Sequence, residues 1–490
     1  MRPGHVLRAV AGSYPRRRGG LSGAVEAAEA PWLNARVHRW DEATDLLAQS
    51  VIGYAVERLK TPKDPTWGAR PADDLAAALD GAISPGGLGG HRALSLFRDV
   101  LMPACRPMDH PLNLAYVPTA PTPAANLFDL VVSVSSIFGG LWEGGAGAIA
   151  AENQALAWLA ELAGFPATAG GCFVSGGSAA NLSALVTARH LARGRSSGTN
   201  GQRWRFATTA ETHASVHAAA RVMDVDVVLA DPDDRGRMTG AALRAALSAS
   251  GTDGMFGVVA NLGTTNVGAI DELDVIADVC EELGLWLHID AAYGGPALCA
   301  PSVADARRGF ERADSFGIDP HKWLFAPYDC AALVYRDPQL AADAHAQHGA
   351  YLDAIDRSEW NPSDVAFHLS RRARGLPLWF SVATYGTDAY TEAVESTLDT
   401  ARRLAAEIEV RDGFRLLLEP QLSVVLFEVE GWDADTYASW TVSRARAGTA
   451  LVVPTTWQGT TCYRICIVNP LTTTEMLSSV LDDMTSYRAT

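Results

Sequence analysis

From about residue 173 to residue 340 of this 490-residue chain, short apolar runs alternate with helical patterns, and that alternation limits the fold more than any other feature. Phe173-Val174 runs into glycines and then a helix, with Ser178 placed as its cap. Strand Phe206–Thr209 precedes helix Ala214–Met223, strand Val225–Leu229 precedes helix Gly240–Ser248, and strand Phe256–Asn261 precedes helix Leu273–Leu283. A further strand, Leu285–Ile289, ends at Asp290, and Ala331–Tyr335 is another. Such a pattern implies an α/β fold: a mostly parallel sheet wrapped by helices, with sites at the strand carboxyl ends.

The rest of the chain is organised around that core. Residues 1–35 read as a loose extension rich in Gly, Ala, Arg and Pro, and 36–109 as a helical N-terminal segment (Trp40–Lys60, Asp73–Leu79, and a helix toward Leu101). The large domain is expected over 110–383, with a mobile loop at 337–370. A small α+β domain is expected over 384–490, from a long helix Tyr385–Val410, strands Leu422–Val429 and Cys462–Val468, and helices near Asp433–Arg446 and Thr473–Tyr487. Further helices are expected at Ala125–Ser136 and Ala151–Ala163. The string Gly145-Ala-Gly147-Ala-Ile-Ala150 between them is no dinucleotide site, because no strand leads into it.

A net charge of −16 without a basic stripe excludes a general nucleic-acid partner. The uncharged run Leu130–Trp142 has 13 residues, short of the roughly 20 that span a bilayer, so no membrane is expected. Arg16-Arg17-Arg18 lacks a following apolar stretch and is no export signal. Seven scattered cysteines without a C-x-x-C pair suit a reducing compartment, and a cytoplasmic location follows.

The chemistry starts at a lysine. Of 40 basic residues only Lys60, Lys63 and Lys322 are lysines, and Lys322 alone lies inside the body of the chain. Trp323, Leu324 and Phe325 beside it argue for burial, and an amine so retained can form a Schiff base, which arginine cannot. The turn Ser175-Gly176-Gly177-Ser178 opens a helix and can cradle a phosphate. His213 and Asp290 follow strand ends, and a buried carboxylate there needs a positive partner. One cofactor uses all four features, pyridoxal 5′-phosphate (PLP). The lysine holds its aldehyde, the aspartate its protonated ring nitrogen, a flat side chain its ring face and a helix start its phosphate. No metal is expected.

The segments Ala260-Asn-Leu-Gly-Thr-Thr265, Leu287-His-Ile-Asp-Ala-Ala-Tyr-Gly-Gly295 and Ala313-Asp-Ser-Phe with Asp319-Pro-His-Lys-Trp323 resemble the group II PLP-dependent amino acid decarboxylases, which include the aromatic-L-amino-acid, histidine and glutamate decarboxylases. The resemblance runs from about His110 to the C-terminus. It implies the aspartate aminotransferase-like fold (PLP-dependent transferase fold type I) and a homodimer with interface active sites. By the same resemblance Lys322 holds PLP, His213 stacks on the ring, Asp290 meets the ring nitrogen and Ala292 packs on the other face. Gly177, Ser178 and Ser315 belong with the cofactor, and His321 contacts substrate. Tyr116, Pro118 and Thr119 match a substrate loop, and Phe138 and Gly140 match positions that reach the neighbouring subunit's pocket. The implied activity is decarboxylation of an L-α-amino acid, with an apolar (aromatic or branched) side chain suggested by Tyr116, Val117, Phe138 and Trp142. Arg371, Arg372, Arg374 and Arg464 are read as structural.

Three departures stand out. Asn261 replaces a threonine usual in the aromatic decarboxylases. Asp319 replaces an asparagine, and an acid near a phosphate is awkward. The stretch Glu359–Leu369, which matches the family's mobile loop, lacks the tyrosine that returns a proton after CO2 leaves. Tyr351 is nearest but out of register, leaving His368 or a water as the proton source. Members without that tyrosine can form an aldehyde by decarboxylation-dependent oxidative deamination, the alternative activity.

Overall fold

The computed structural model describes residues 36–195, 203–347 and 359–488, so the expected extension at 1–35 and Tyr351 lie outside the described residues. The chain divides into two units, Met1–Glu57 with Gly81–Ser95, and Arg58–Asp80 with Leu96–Thr490. Helices Glu42–Lys60, Ala72–Leu79 and Gly90–Leu96 form where the apolar spacing places them, and none carries a buried residue. Leu46, Val51 and Ile52 on the first of these are 49%, 39% and 43% exposed.

The larger sheet has seven strands: β1 (Gly170–Val174), β2 (Arg205–Thr209), β3 (Asp226–Ala230), β4 (Met255–Asn261), β5 (Trp286–Asp290), β6 (Ser315–Ile318) and β7 (Ala331–Tyr335). Their order is β1-β7-β6-β5-β4-β2-β3. Strands β3, β2, β4, β5 and β6 run parallel, and β7 is antiparallel to both β6 and β1. The sheet is therefore mostly parallel, as the alternation requires. Strand β6 escaped the sequence reading, because four residues next to a helix of four leave no period to detect.

Both faces of this sheet are covered. On β7, Ala332 and Val334 join one apolar cluster while Leu333 and Tyr335 join the other; on β5, Leu287 and Ile289 face the first and Trp286 the second. That two-sided burial explains why the strands read as continuous apolar runs. Each such Leu, Ile or Val taken out of water contributes about 1.5–3 kcal/mol. The even-numbered face of β5, carrying Trp286, His288 and Asp290, lies under helix Gly177–Arg195. This register sets the site.

The second sheet is antiparallel, with β8 (Phe414–Leu418), β9 (Val424–Val429), β10 (Val453–Trp457) and β11 (Thr460–Cys466) in the order β10-β11-β9-β8. Trp440, Tyr463, Phe427 and Leu404 fill its core with helices Thr387–Val410, Ala434–Ala447 and Thr474–Ser486. The sequence reading missed β8 and β10, whose partly exposed residues carry a weak pattern.

Two expectations need correction. Helix Trp142–Leu162 begins nine residues before the expected start, so the glycines at 145 and 147 lie within it, with a kink at Gly145. The stretch expected as a mobile loop from 337 opens instead as helix Pro338–His345, held by buried Ala341 and His345.

Candidate active site

Strand ends bring the chemistry together. Helix Pro320–Trp323 follows β6 at once and places Lys322 in a largely buried position, its side chain 22% exposed. Its Nζ lies 2.9 Å from Asp319 Oδ2. Burial works against the ammonium, yet Asp319, aided by Asp290, holds the amine above its ordinary pKa. Asp319 is 3% exposed, and its Oδ1 has no hydrogen-bond partner. The acid that looked awkward in the sequence is thus the counter-ion of the lysine.

Gly177 is buried against this cluster. A Cβ there would lie 3.0 Å from the Ala292 Cβ and 3.2 Å from Asp319 Oδ2, so a neighbour would have to give by a few tenths of an ångström. The turn is a cradle that any larger residue would fill. Ser178 sits in the first turn of helix Gly177–Arg195, not at its cap, and its side chain is exposed. Free N–H groups of that turn suit an anion.

His213 caps helix Ala214–Met223, with its ring exposed and Nδ1 accepting from Ser215 N at 3.2 Å and lying 2.8 Å from Ser215 Oγ. Asp290, at the end of β5, accepts from Asn181 Nδ2 at 2.8 Å and from Ala292 N at 3.1 Å. Within the chain its side-chain donor is a neutral amide, which lines up on the carboxylate without adding a second buried charge. Asn181 also donates to Ser215 Oγ (3.2 Å), while its Oδ1 lies 2.9 Å from His288 Nε2. His288 Nδ1 reaches Ser315 Oγ at 2.9 Å, and Trp286 Nε1 donates to the same hydroxyl at 2.9 Å. Burial pushes His288 down to about 4, with Asp290 opposing, so it is neutral at neutral pH. One polar chain therefore links His213 to Asp290 and on to His288.

Ser315 is fully buried on β6, and its hydroxyl accepts from Trp286 Nε1 and lies 2.9 Å from His288 Nδ1. Asn261, the departure from threonine, accepts from Thr212 Oγ1 at 3.0 Å and donates to Asp271 Oδ2 at 2.9 Å, which holds the residue preceding His213. Burial pushes Asp271 up to about 7 against the N–H donors around it.

His321 is buried, with Nδ1 2.7 Å from Cys330 O and its ring 4.7 Å from that of Tyr328. Tyr116 (63% exposed) and His213 line one cavity of about 400 Å3, together with Val453, Pro454 and Arg464. Pro118 and Thr119 are buried behind Tyr116, and Thr122 N donates to Phe325 O at 3.0 Å, tying this loop to the segment after Lys322. Phe138 and Gly140 are not brought to that cluster by their contacts: Gly140 O accepts from Ser363 N, and a Cβ on Gly140 would meet Leu369 O at 2.3 Å.

Arg464 was read as structural, and it ties the carbonyls of Thr265, Asn266 and Tyr116 while also lining the cavity. It is 7% exposed; Nε donates to Thr265 O at 3.0 Å, Nη1 donates to Tyr116 O, and Nη2 has no partner. The sequence reading also missed Asn181, Ser215, His288 and Tyr328. Asn181 stands one helical turn beyond Ser178, on the face turned to the sheet, and that spacing was the available signal.

A mostly parallel sheet carrying a buried lysine, a carboxylate at a strand end and a glycine cradle for an anion defines a PLP-dependent enzyme. The pyridoxal-dependent decarboxylase conserved domain matches residues 91–430, and the chain belongs to that family of PLP-dependent amino acid decarboxylases. It is 32% identical to an aromatic-L-amino-acid decarboxylase of Bacillus atrophaeus over 389 residues, 76% of this chain and 80% of the relative. It is 31% identical to a human acidic amino acid decarboxylase over 409 residues, 79% and 75% of the two chains. The crystal structure of mouse CSAD in apo form superposes with a TM-score of 0.82 at 25% identity, covering 90% of this chain and 98% of that one. The enzyme is a carboxy-lyase of the α/β, fold type I class. Among the described residues no helix is long and apolar enough to cross a membrane.

Proposed function

We propose that the chain removes the carboxylate of an L-α-amino acid with an apolar, aromatic or branched side chain, giving the amine and CO2. The observation that carries this is the buried Lys322 amine beside the Gly177 cradle, on the sheet edge where Asp290 and His213 emerge. Lys322 would hold the cofactor through its amine, Asp290 through the ring nitrogen, and Gly177 with Ser178 through the phosphate. His213 and Ala292 would flank the ring. When bound, PLP supplies an aldehyde for the lysine and a ring that takes up the electron pair left by the departing carboxylate. His321 would orient substrate, and the buried walls around it exclude water, which favours loss of an unsolvated carboxylate.

Val453, Pro454 and Ala214 in the cavity wall support an apolar side chain. The Arg464 side chain in the cavity wall favours a second reading, an acidic side chain, in keeping with the acidic amino acid decarboxylase among the relatives. Incubation with the proteinogenic L-amino acids, scoring CO2, amine and aldehyde separately, decides. Turnover of Phe, Trp, Tyr, Leu or Val supports the first reading, and turnover confined to Asp or Glu replaces it. Carbonyl product with consumption of dioxygen would instead establish the oxidative alternative.

We further read the molecule as a cytoplasmic homodimer, with segments 36–109, 110–383 and 384–490 as its domains. Free, mostly buried cysteines support the location. Exposed apolar faces on helices Glu42–Lys60 and Pro123–Val134 support pairing with a second copy.

A further inference from the structure

We propose that Asp319 is a guard on cofactor uptake: its carboxylate holds Lys322 as an ammonium and sets negative charge against the Gly177 cradle, so the site takes up PLP against an acid. Asp319 has this role only if Lys322 and the cradle take the cofactor, as read above. Lys322 Nζ lies 2.9 Å from Asp319 Oδ2, and Asp319 is 3% exposed. Both carboxylate oxygens face the cradle: a Cβ on Gly177 would stand 3.2 Å from Oδ2 and 3.3 Å from Oδ1. Oδ1 has no hydrogen-bond partner among the described residues. Backbone bonds on both sides hold the residue there, since Asp319 N donates to Ala292 O at 3.2 Å and Asp319 O accepts from Lys322 N at 2.9 Å.

Uptake asks two things that this arrangement opposes. The Lys322 ammonium must first give one proton to water. Its lone pair then forms a bond to the aldehyde carbon, and the carbonyl oxygen leaves as water with the two remaining amine hydrogens. Asp319 favours the ammonium, and Asp290 adds to that hold. An opposite charge this close makes the neutral amine roughly 10- to 1,000-fold scarcer.

Uptake also takes away the acid's counter-ion while a phosphate comes to rest beside it. His321 does not replace that counter-ion. Its Nε2 lies 3.7 Å from Asp319 Oδ2, but burial lowers the ring's pKa and leaves it neutral at neutral pH. Burial keeps the Tyr328 phenol and the Cys330 thiol protonated, so neither adds charge. An amide at 319 would keep the shape, free the amine from its counter-ion and offer an N–H to the anion. With the acid in its place, the ion pair stabilises the cofactor-free form.

Fluorescence titration of the apo-protein with PLP and with pyridoxal, which lacks the phosphate, tests this for wild type, Asp319→Asn and Asp319→Ser. PLP should bind at least about 10-fold more tightly to both variants than to wild type, and pyridoxal should gain less. Unchanged or weaker PLP binding in the variants, with Lys322→Ala abolishing the absorbance of the lysine-bound cofactor, would overturn the guard alone. A gain in Asp319→Asn only would trace it to the new N–H donor and overturn the guard as well. An equal gain for pyridoxal would confine the acid's effect to the lysine and remove it from the cradle. Absorbance that survives Lys322→Ala would sink the reading of Lys322, and this assignment with it.

Discussion

Burial opposes a charged amine at Lys322, and Asp319 at 2.9 Å reverses the balance. Replacing Asp319 by Asn leaves burial unopposed except by Asp290, so the amine should lose its proton at lower pH. The pH dependence of reductive methylation of Lys322 in the apo-protein measures this; an unmoved midpoint would show that Asp319 does not set the amine's charge. Asn181 is the second residue on which the site turns. Its two N–H groups serve Asp290 and Ser215, and its carbonyl serves His288. Because Ser215 N donates to His213 Nδ1, that nitrogen is the acceptor and the imidazole proton sits on Nε2. Asn181→Leu keeps the shape and deletes these bonds. A hydrogen bond to a charged group is worth about 1.5–3 kcal/mol, so PLP should bind roughly 10- to 100-fold more weakly. Fluorescence titration of the apo-protein reads it, and an unaltered affinity would make Asn181 a packing residue only.

At the scale of elements, one buried ion pair ties three of them. Arg371 and Glu152 meet in a two-pronged contact of 2.8 and 2.9 Å, at 7% and 2% exposure. Arg371 Nε also donates to Phe173 O on β1, and Gly375 N donates to Glu152 Oε1. Helix Trp142–Leu162, strand β1 and the segment before helix Leu376–Tyr385 thus converge on two side chains. Removing one partner leaves an uncompensated buried charge, so Glu152→Ala should cost about 3–5 kcal/mol in denaturant unfolding. A loss below about 1 kcal/mol would mean water reaches the arginine. The structural role read for Arg371 in the sequence agrees with this contact. Arg464 agrees too, since it binds three backbone carbonyls, and a residue list could not show that it also lines the cavity.

At the scale of the whole molecule, Leu127, Leu130, Val131 and Val134 on helix Pro123–Val134 are 48%, 40%, 46% and 72% exposed. An apolar strip of this kind is costly in water and suits a partner surface. Sedimentation should give twice the chain mass of 52.0 kDa, and Leu130→Asp with Val134→Asp should shift the protein toward the monomer. A monomeric wild type would remove the homodimer from the reading. The net charge of −16 gives two copies reason to repel, so association should tighten as salt is added.

By itself, the chain's order of residues determined the class of fold and singled out the lysine, aspartate and histidine proposed to hold the cofactor. Those signals are local: a strand's apolar run, the residue at its end, and a lysine kept in an arginine-rich chain. Which groups those residues answer to was decided by tertiary structure. Asn181 and Asp290 are 109 positions apart, and Arg464 and Tyr116 are 348 apart. Pairing across that separation is set by sheet order and by which face of β5 lies under helix Gly177–Arg195. Strand β6 is too short for periodicity to reveal, yet its register carries Ser315 to His288.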